Sequence, residues 1–400
     1  MTEYEEFADA LFDQLDVETN EEKVIADLMS KIKDETELNT QFEKLEDISS
    51  ELFEIMKEKA EEFLHISVSD NLKIEYPKLN DFKKLKGKKI FATINSKQFV
   101  EELFDAVIEE DRAGVAKLVQ NEPIKFFVYS TYAKSYLSKI STTYGDYMDS
   151  VVYLNRFILE SYPQIILYKI GKPFERNLEG VKSGYLGALK RTILEETVHS
   201  MQTSLHESNK QAVISVNSIN EELAEIILNL KDETVSKLSD YLQLQAVPKE
   251  FPTAQRANLF FMLNPDNFVT NILGPQVMTY SHIEIDPKIK DLLPQLEETY
   301  QKWLSPIQKH HARFTTSEGM AEFAVENILK NDIDFKKYIT MFAGMDESAY
   351  WIKKNIGKNF IQVVYEKFSN NTFNHVLENV PSTQEIEKPE LYINRLAHLL

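Results

Sequence analysis

Leu194-Glu195-Glu196-Thr197-Val198-His199-Ser200-Met201-Gln202 is the stretch on which the predicted fold of this 400-residue chain depends. Four apolar residues in and just after it, at 194, 198, 201 and 205, follow the spacing i, i+4, i+7 and i+11. On a helix this spacing gives one continuous apolar stripe, which is typical of a helix that packs into a core. We therefore predict a central helix here, beginning near Tyr185.

A second row of side chains runs beside the apolar stripe. Glu195, His199, Gln202 and His206 are four, three and four residues apart, so on one helix they lie almost in line. A carboxylate and an imidazole one turn apart are placed to bind the same metal ion. Glu196 is adjacent and could hold a water molecule against that ion.

Composition limits the class of protein. The chain has 43% hydrophobic and 27% charged residues, with only 11 glycines and 13 prolines, which favours a mainly α globular fold of two or three domains. The net charge of −19 argues against a nucleic-acid partner, because phosphate recognition needs a basic surface. The absence of cysteine excludes disulfides and thiolate ligands, so a transition-metal site here depends on His, Asp and Glu.

Neither a signal peptide nor a membrane-spanning run is recognisable, and we expect a cytoplasmic protein with no membrane partner. Two β-prone runs, 72–76 and 89–94, predict a short β hairpin, and 277–285 could be extended. The other segments have apolar residues at helical spacing. These predicted helices cover 3–16, 21–66, 97–108, 112–120, 123–141, 146–161, 219–244, 287–312, 332–342, 346–368, 372–379 and 389–399. The acidic helices within 21–66 are candidates for binding a protein partner.

A metal held by one helix needs a further ligand from elsewhere. The best candidate is Glu318, in Glu318-Gly319-Met320-Ala321. Two further segments follow it in the chain: Tyr350-Trp351-Ile352-Lys353-Lys354-Asn355-Ile356-Gly357 and Phe360-Ile361-Gln362-Val363-Val364-Tyr365-Glu366-Lys367-Phe368.

These segments, in this order, resemble the gluzincin-type metallopeptidases, zincins that carry His-Glu-x-x-His on a helix and a ligand glutamate in a downstream Glu-Gly-x-Ala. The resemblance covers roughly residues 185–380. It implies that His199 and Glu318 are ligands, that Glu196 is the general base and that Tyr350 donates to an oxyanion. It also implies one divalent metal ion, by resemblance zinc, and a peptide or protein substrate.

The chain departs from this family at Glu195, which stands where the first histidine is expected. A carboxylate can ligate zinc, but its negative charge weakens the Lewis acidity of the ion. Two carboxylates and one imidazole also suit manganese or ferrous iron. Three outcomes stay open: an active peptidase with an altered site, a metal-binding relative without peptidase activity, and a relative that has lost its metal.

The change from β-prone runs to helices near residue 95 also indicates a domain boundary there. We expect an N-terminal helical region with a short β hairpin over 1–95. A zincin-like helical domain with a long insert at about 210–312 is then expected over 96–400.

Simpler interpretations exist for each part of the pattern. Glu195 and His199 could be a surface ion pair, and Thr315-x-x-Glu318 fits a capping box at a helix start. Gly319 could simply ease helix packing, and His206 could pack rather than act as a substitute ligand.

Two other functions compete with the peptidase. A non-catalytic, acidic helical interaction protein without metal is favoured by the missing first histidine. A ferritin-like carboxylate iron protein also uses Glu-x-x-His, as at Glu196-x-x-His199, but it needs that spacing twice together with two further glutamates.

Overall fold

The structure is a computed structural model, and it describes residues 2–18, 23, 45–140, 143–161, 178–244, 250–268, 273–342 and 349–398. The chain is mainly α with a small β element, as predicted. The strands are β1 (Lys73–Glu75), β2 (Gly145–Met148) and β3 (Val151–Leu154). The helices of the described residues are α1 (Glu3–Glu18), α2 (Leu45–Leu64), α3 (Leu79–Lys88), α4 (Lys97–Ile108), α5 (Arg112–Asn121), α6 (Pro123–Leu137), α7 (Arg156–Glu160), α8 (Leu178–Ser200), α9 (Thr203–Leu228), α10 (Asp232–Tyr241), α11 (Pro252–Leu263), α12 (Pro265–Phe268), α13 (Pro287–Leu292), α14 (Gln295–Leu329), α15 (Ile333–Phe342), α16 (Ala349–Phe368), α17 (Asn371–Glu378), α18 (Thr383–Glu387) and α19 (Pro389–Ala397).

The three strands form one sheet in the order β1-β3-β2, with β1 parallel and β2 antiparallel to β3. The predicted hairpin between 72–76 and 89–94 is wrong, because β1 pairs with β3 instead. Residues 89–94 are not a strand. The backbone N–H groups of Lys89 and Ile90 donate to Lys86 and Gly87, so this segment begins as the closing turn of α3.

The helix predicted over 146–161 is also wrong in its first half, where β2 and β3 lie. Val152 and Leu154 are fully buried while their neighbours in β3 are half-buried, which is the alternation of a strand. Asp149 and Ser150 connect the two strands with φ of 51° and 63°. Two consecutive positive φ values are characteristic of the tight type I′ hairpin turn.

The chain folds into two compact units, each assembled from three separate segments. The first unit comprises Met1–Val17, Lys84–Ser138 and Ser208–Ala312. Its core combines α1, α4 to α6, and residues from α9 to α11 and α14. Ile90 and Ala92, in the segment mispredicted as a strand, belong to this core. The division at residue 95 and the zincin-like character of 96–400 stay predictions.

The second unit comprises Glu18–Lys83, Lys139–Glu207 and Arg313–Leu400, and α8 is its central helix. Helix α8 packs against α15, α2, β2 and β3. The predicted apolar stripe is buried, since Leu194, Val198 and Leu205 are fully buried and Met201 is 8% exposed. The helix begins at Leu178, earlier than predicted, and its glycines at 180, 184 and 187 lie inside it.

Helices α8 and α9 are separated at Met201–Gln202, and residues 212–216 lie within α9. The segment 277–285 forms no strand. The part of the acidic N-terminal region at 24–44 lies outside the described residues. Among the described residues, no helix has the length and apolarity needed to cross a membrane.

Helix α14 runs without interruption from Gln295 to Leu329, although Pro306 lies inside it. Thr315 is therefore in a helix interior, and the capping-box interpretation of Thr315 and Glu318 is wrong. Gly319 does ease packing. A Cβ added to Gly319 would lie 2.1 Å from the carbonyl carbon of Gly357, so α14 and α16 cross there in backbone contact.

Candidate metal site

Three helices of the second unit bring the candidate residues together. Helix α8 carries Glu195, Glu196 and His199, α14 carries Glu318, and α16 carries Tyr350. One ligand atom from each of Glu195, His199 and Glu318 lies within 4.8 Å of the other two. The three predicted ligands are therefore near enough to bind one metal ion.

The ring of His199 has a fixed orientation. The side-chain amide of Gln202 donates through Nε2 to the backbone oxygen of Ser317 (3.0 Å), which leaves Gln202 Oε1 facing His199 Nδ1 at 2.9 Å. Because Oε1 is an acceptor, Nδ1 of the neutral ring carries the proton and Nε2 has the free lone pair. This is the arrangement in which a histidine usually ligates a metal through Nε2.

His199 Nε2 lies 3.8 Å from Oε2 of Glu318. This distance is too long for a hydrogen bond. The two side chains are only 10% and 13% exposed, so the space between the two atoms is largely screened from solvent. An ion-sized separation between two buried ligand atoms is what a metal site requires.

His206 contacts Ser317, which in turn contacts the Gln202 side chain that orients His199. Its Nε2 lies 3.1 Å from the hydroxyl of Ser317, and that hydroxyl donates to Gln202 Oε1 at 2.5 Å. The rings of His199 and His206 are 5.7 Å apart. Among the described residues, the group of close ligand atoms does not include His206, which contacts that group through Ser317 and Gln202.

Glu195 is paired with two cations. The ammonium of Lys354 donates to its Oε1, and the guanidinium of Arg191 lies 3.4 Å from its Oε2. Burial opposes ionisation of this carboxyl, but the two cations outweigh burial and hold the pKa of Glu195 below its usual value. Glu195 is thus a carboxylate in a buried ion-pair network, not half of a surface pair.

Glu322 completes that network, and sequence reasoning missed it. Arg191 donates two hydrogen bonds to its carboxylate, at 2.7 and 3.2 Å, and Lys354 lies 3.2 Å away. Glu322 is 1% exposed; burial alone would raise its pKa, but Arg191 and Lys354 lower it to about 2. A usable signal existed, because Arg191 is four residues before Glu195 and Glu322 four after Glu318, so each lies one turn from a predicted ligand.

Tyr350 lies at the edge of the ligand group. Its hydroxyl donates to Oε2 of Glu318 at 2.5 Å, while its side chain is 37% exposed overall. Desolvation of the hydroxyl and the adjacent Glu318 carboxylate raise the pKa of Tyr350 well above its usual value. The phenol therefore keeps its proton at neutral pH and can act as a hydrogen-bond donor.

Glu196 lies on the side of α8 that faces the sheet. A Cβ at Gly145 would lie 3.5 Å from Cγ of Glu196 and 2.5 Å from Cγ2 of Thr192, so β2 approaches the helix directly beside Glu196. Glu196 is 9% exposed, and its charge contributes to the raised pKa of Tyr350. It does not belong to the group of close ligand atoms.

Two cations lie among the carboxylates of the site. Lys354 contacts Glu195 and lies 3.2 Å from Glu322 and 3.9 Å from Glu318. Arg191 pairs with Glu195 and Glu322.

Comparisons with known proteins give no family for the chain. No protein-family model, curated protein or solved structure matches it. The resemblance to gluzincins therefore rests on the residues of this chain, and the finding that stands beside it is the Glu195, His199 and Glu318 group.

Proposed function

We propose that this chain is a divergent zincin-like metallopeptidase that binds one divalent metal ion through Glu195, His199 and Glu318. The observation that carries the proposal is the position of His199 Nε2. Because Nδ1 of the ring is bonded to Gln202, the lone pair of Nε2 is available, and this atom lies 3.8 Å from Oε2 of Glu318. The donor set of one imidazole and two carboxylates suits zinc, manganese and ferrous iron.

A ferritin-like centre has less support. The described residues hold a single group of this kind, with one histidine, and a two-iron centre needs two Glu-x-x-His pairs.

A bound divalent ion would supply Lewis acidity to the substrate carbonyl and to the attacking water. Glu196 is the proposed general base, because it is a buried carboxylate one residue from Glu195 on the sheet-facing side of α8. Tyr350 is the proposed oxyanion donor, because its raised pKa keeps the proton on the hydroxyl. Its bond to Glu318 has to exchange for the substrate oxygen during the reaction.

The binding test is elemental analysis after dialysis against Zn²⁺ or Mn²⁺. Wild-type protein is expected to retain one ion per chain, and H199A and E318Q are expected to lose it. E326Q is the matched control, because Glu326 lies two turns from Glu318 on the same helix with a side chain that is 45% exposed. In protein purified without added metal, we also expect E195H to hold more zinc than wild type. Negligible metal in both wild type and E195H would refute the site.

The catalytic test is hydrolysis of a quenched fluorescent peptide library. We expect E196Q to keep its metal but to cleave peptides about 10²–10⁴-fold more slowly, the usual contribution of a general base. Wild-type protein that binds metal without cleaving any peptide would show a metal-binding relative that has no peptidase activity.

A second candidate function is a non-catalytic acidic interaction protein without metal. The observation that favours it is the ammonium of Lys354, which already contacts Glu195 and lies 3.9 Å from Glu318. In this case wild-type protein would contain no stoichiometric metal, and a chelator would not change its thermal stability.

A further inference from the structure

Lys354 is the least expected residue of the site. Its side chain is 1% exposed, although a lysine is almost never fully buried unless it is paired. The ammonium donates to Oε1 of Glu195, lies 3.2 Å from Oε2 of Glu322, and sits 5.4 Å from the ring centre of Tyr350. A single buried cation thus contacts a proposed ligand and a carboxylate outside the ligand group.

Both oxygens of Glu195 are occupied by cations. Lys354 holds Oε1, and Arg191 lies 3.4 Å from Oε2. Arg191 has its main partner in Glu322, with two hydrogen bonds, so its contact with Glu195 is the weaker one. A metal ion that binds Glu195 must therefore compete chiefly with Lys354 for the charge on this carboxylate.

We propose that Lys354 is a counter-ion built into the metal site. Its ammonium lowers the affinity of the site for metal ions, and the site therefore selects strongly ligating transition metals over Mg²⁺ and Ca²⁺. This inference rests on the proposed function, since it concerns the same three ligands. The ammonium cancels the extra negative charge that Glu195 brings and leaves the ligand group less attractive to hard cations. Such cations depend on carboxylate charge, whereas zinc and ferrous iron also gain from the imidazole of His199.

Lys354 has a second partner when a metal takes Glu195. Glu322 lies within ion-pair distance of the ammonium, and the rings of Tyr350 and Trp351 lie 5.4 and 5.8 Å from it. The displaced ammonium therefore stays buried and paired, and metal binding does not leave an isolated charge in the core. Lys354 acts here through Glu195 and is a positioning residue, not a ligand.

The test measures dissociation constants for Zn²⁺, Mn²⁺ and Ca²⁺ by competition with a chromophoric chelator. K354M is expected to bind every ion at least tenfold more tightly, and to gain more for Ca²⁺ than for Zn²⁺. The matched control is K358M. Lys358 forms the same kind of pair between α16 and α14, with Glu326 at 2.7 Å, but it lies one turn further along. Its removal should leave all three constants unchanged.

K354M/E322Q removes one buried charge of each sign, so it answers the same question if K354M does not fold. Folded K354M or K354M/E322Q with unchanged or weaker metal affinity would overturn this inference while leaving the metal site intact. A wild type that binds no ion, together with variants that bind none, would overturn the proposed function as well. A purely structural role for Lys354 would lower the melting temperature without changing the ratio of Ca²⁺ to Zn²⁺ affinity.

Discussion

At the scale of single residues, the sequence identifies Glu195, His199 and Glu318 as a group, and the structure brings their ligand atoms within 4.8 Å. Spacing along one helix predicts the first two, and the resemblance of a distant segment predicts the third. Lys354 and Glu322 could not be weighed in the same way. Their importance depends on how α14 and α16 cross α8, and a pattern within one helix carries no information about such a crossing.

A residue-scale prediction concerns Gln202, which orients the ring of His199. We expect Q202L to weaken zinc or manganese binding by about 10–100-fold, because the partner that holds a ligand histidine usually contributes this much to affinity. Isothermal titration of the two proteins measures the change.

H206A is the control for this prediction. His206 touches Ser317 and lies outside the group of close ligand atoms, so the variant is expected to keep one ion per chain and to lose far less affinity. A complete loss of metal in H206A with retention in Q202L would show that His206, and not His199, completes the site.

At the scale of elements, helices with strong apolar periodicity are predicted well. Helices α4 and α5 agree with prediction to within one residue. The failures are short segments whose partners are far away in sequence. Helix propensity alone could not show that β3 pairs with β1, because 75 residues separate the end of one strand from the start of the other. Tertiary pairing overrides local preference at such positions.

Gly319 gives the first element-scale prediction. A Cβ there would lie 2.1 Å from the carbonyl carbon of Gly357, so G319A must push α16 away from α14. Forcing an extra carbon into a close-packed contact costs about 1–3 kcal/mol, so the free energy of unfolding should fall by this amount in urea titrations.

E298A serves as the control for G319A. Glu298 is on α14 with a side chain that is 75% exposed, and its substitution should change stability by less than about 0.5 kcal/mol. Equal stability of G319A and E298A would contradict the close crossing of the two helices.

The turn between β2 and β3 gives the second element-scale prediction. Ser150 has φ of 63°, a conformation that glycine adopts without the steric cost that other residues bear. S150G is therefore expected to raise the free energy of unfolding by a few tenths to about 1 kcal/mol, the gain being limited by the greater freedom of glycine in the unfolded chain. Thermal unfolding followed by circular dichroism measures the gain.

S150V provides the opposite substitution at this turn. A β-branched residue is strongly disfavoured at positive φ, so S150V should be less stable than wild type. If S150G and S150V shifted stability in the same direction, the hairpin turn would not have this conformation.

At the scale of the whole molecule, composition predicts a mainly α chain, and low glycine and proline content is enough for that conclusion. The organisation into two units could not be predicted from the sequence, because each unit joins segments that are far apart in sequence. The chain passes from one unit to the other near residues 18, 84, 139, 208 and 313. These boundaries are set by which helices share a core, and that information is tertiary.

The last prediction follows from the position of the site within one unit. Glu195, His199 and Glu318 all belong to the second unit, so metal binding should stabilise that unit directly. An ion at 100 times its dissociation constant adds about 2.7 kcal/mol to the stability of the folded state that binds it. Removal of the metal with a chelator should therefore speed amide hydrogen exchange in α8, in the part of α14 after Arg313 and in α16. Helices α4 to α6, in the first unit, should exchange at the same rate with and without metal.

H199A is the control, because a chain that has lost the ligand should show no response to the chelator. A chelator effect that persists in H199A, or that is confined to the first unit, would place the metal elsewhere in the chain.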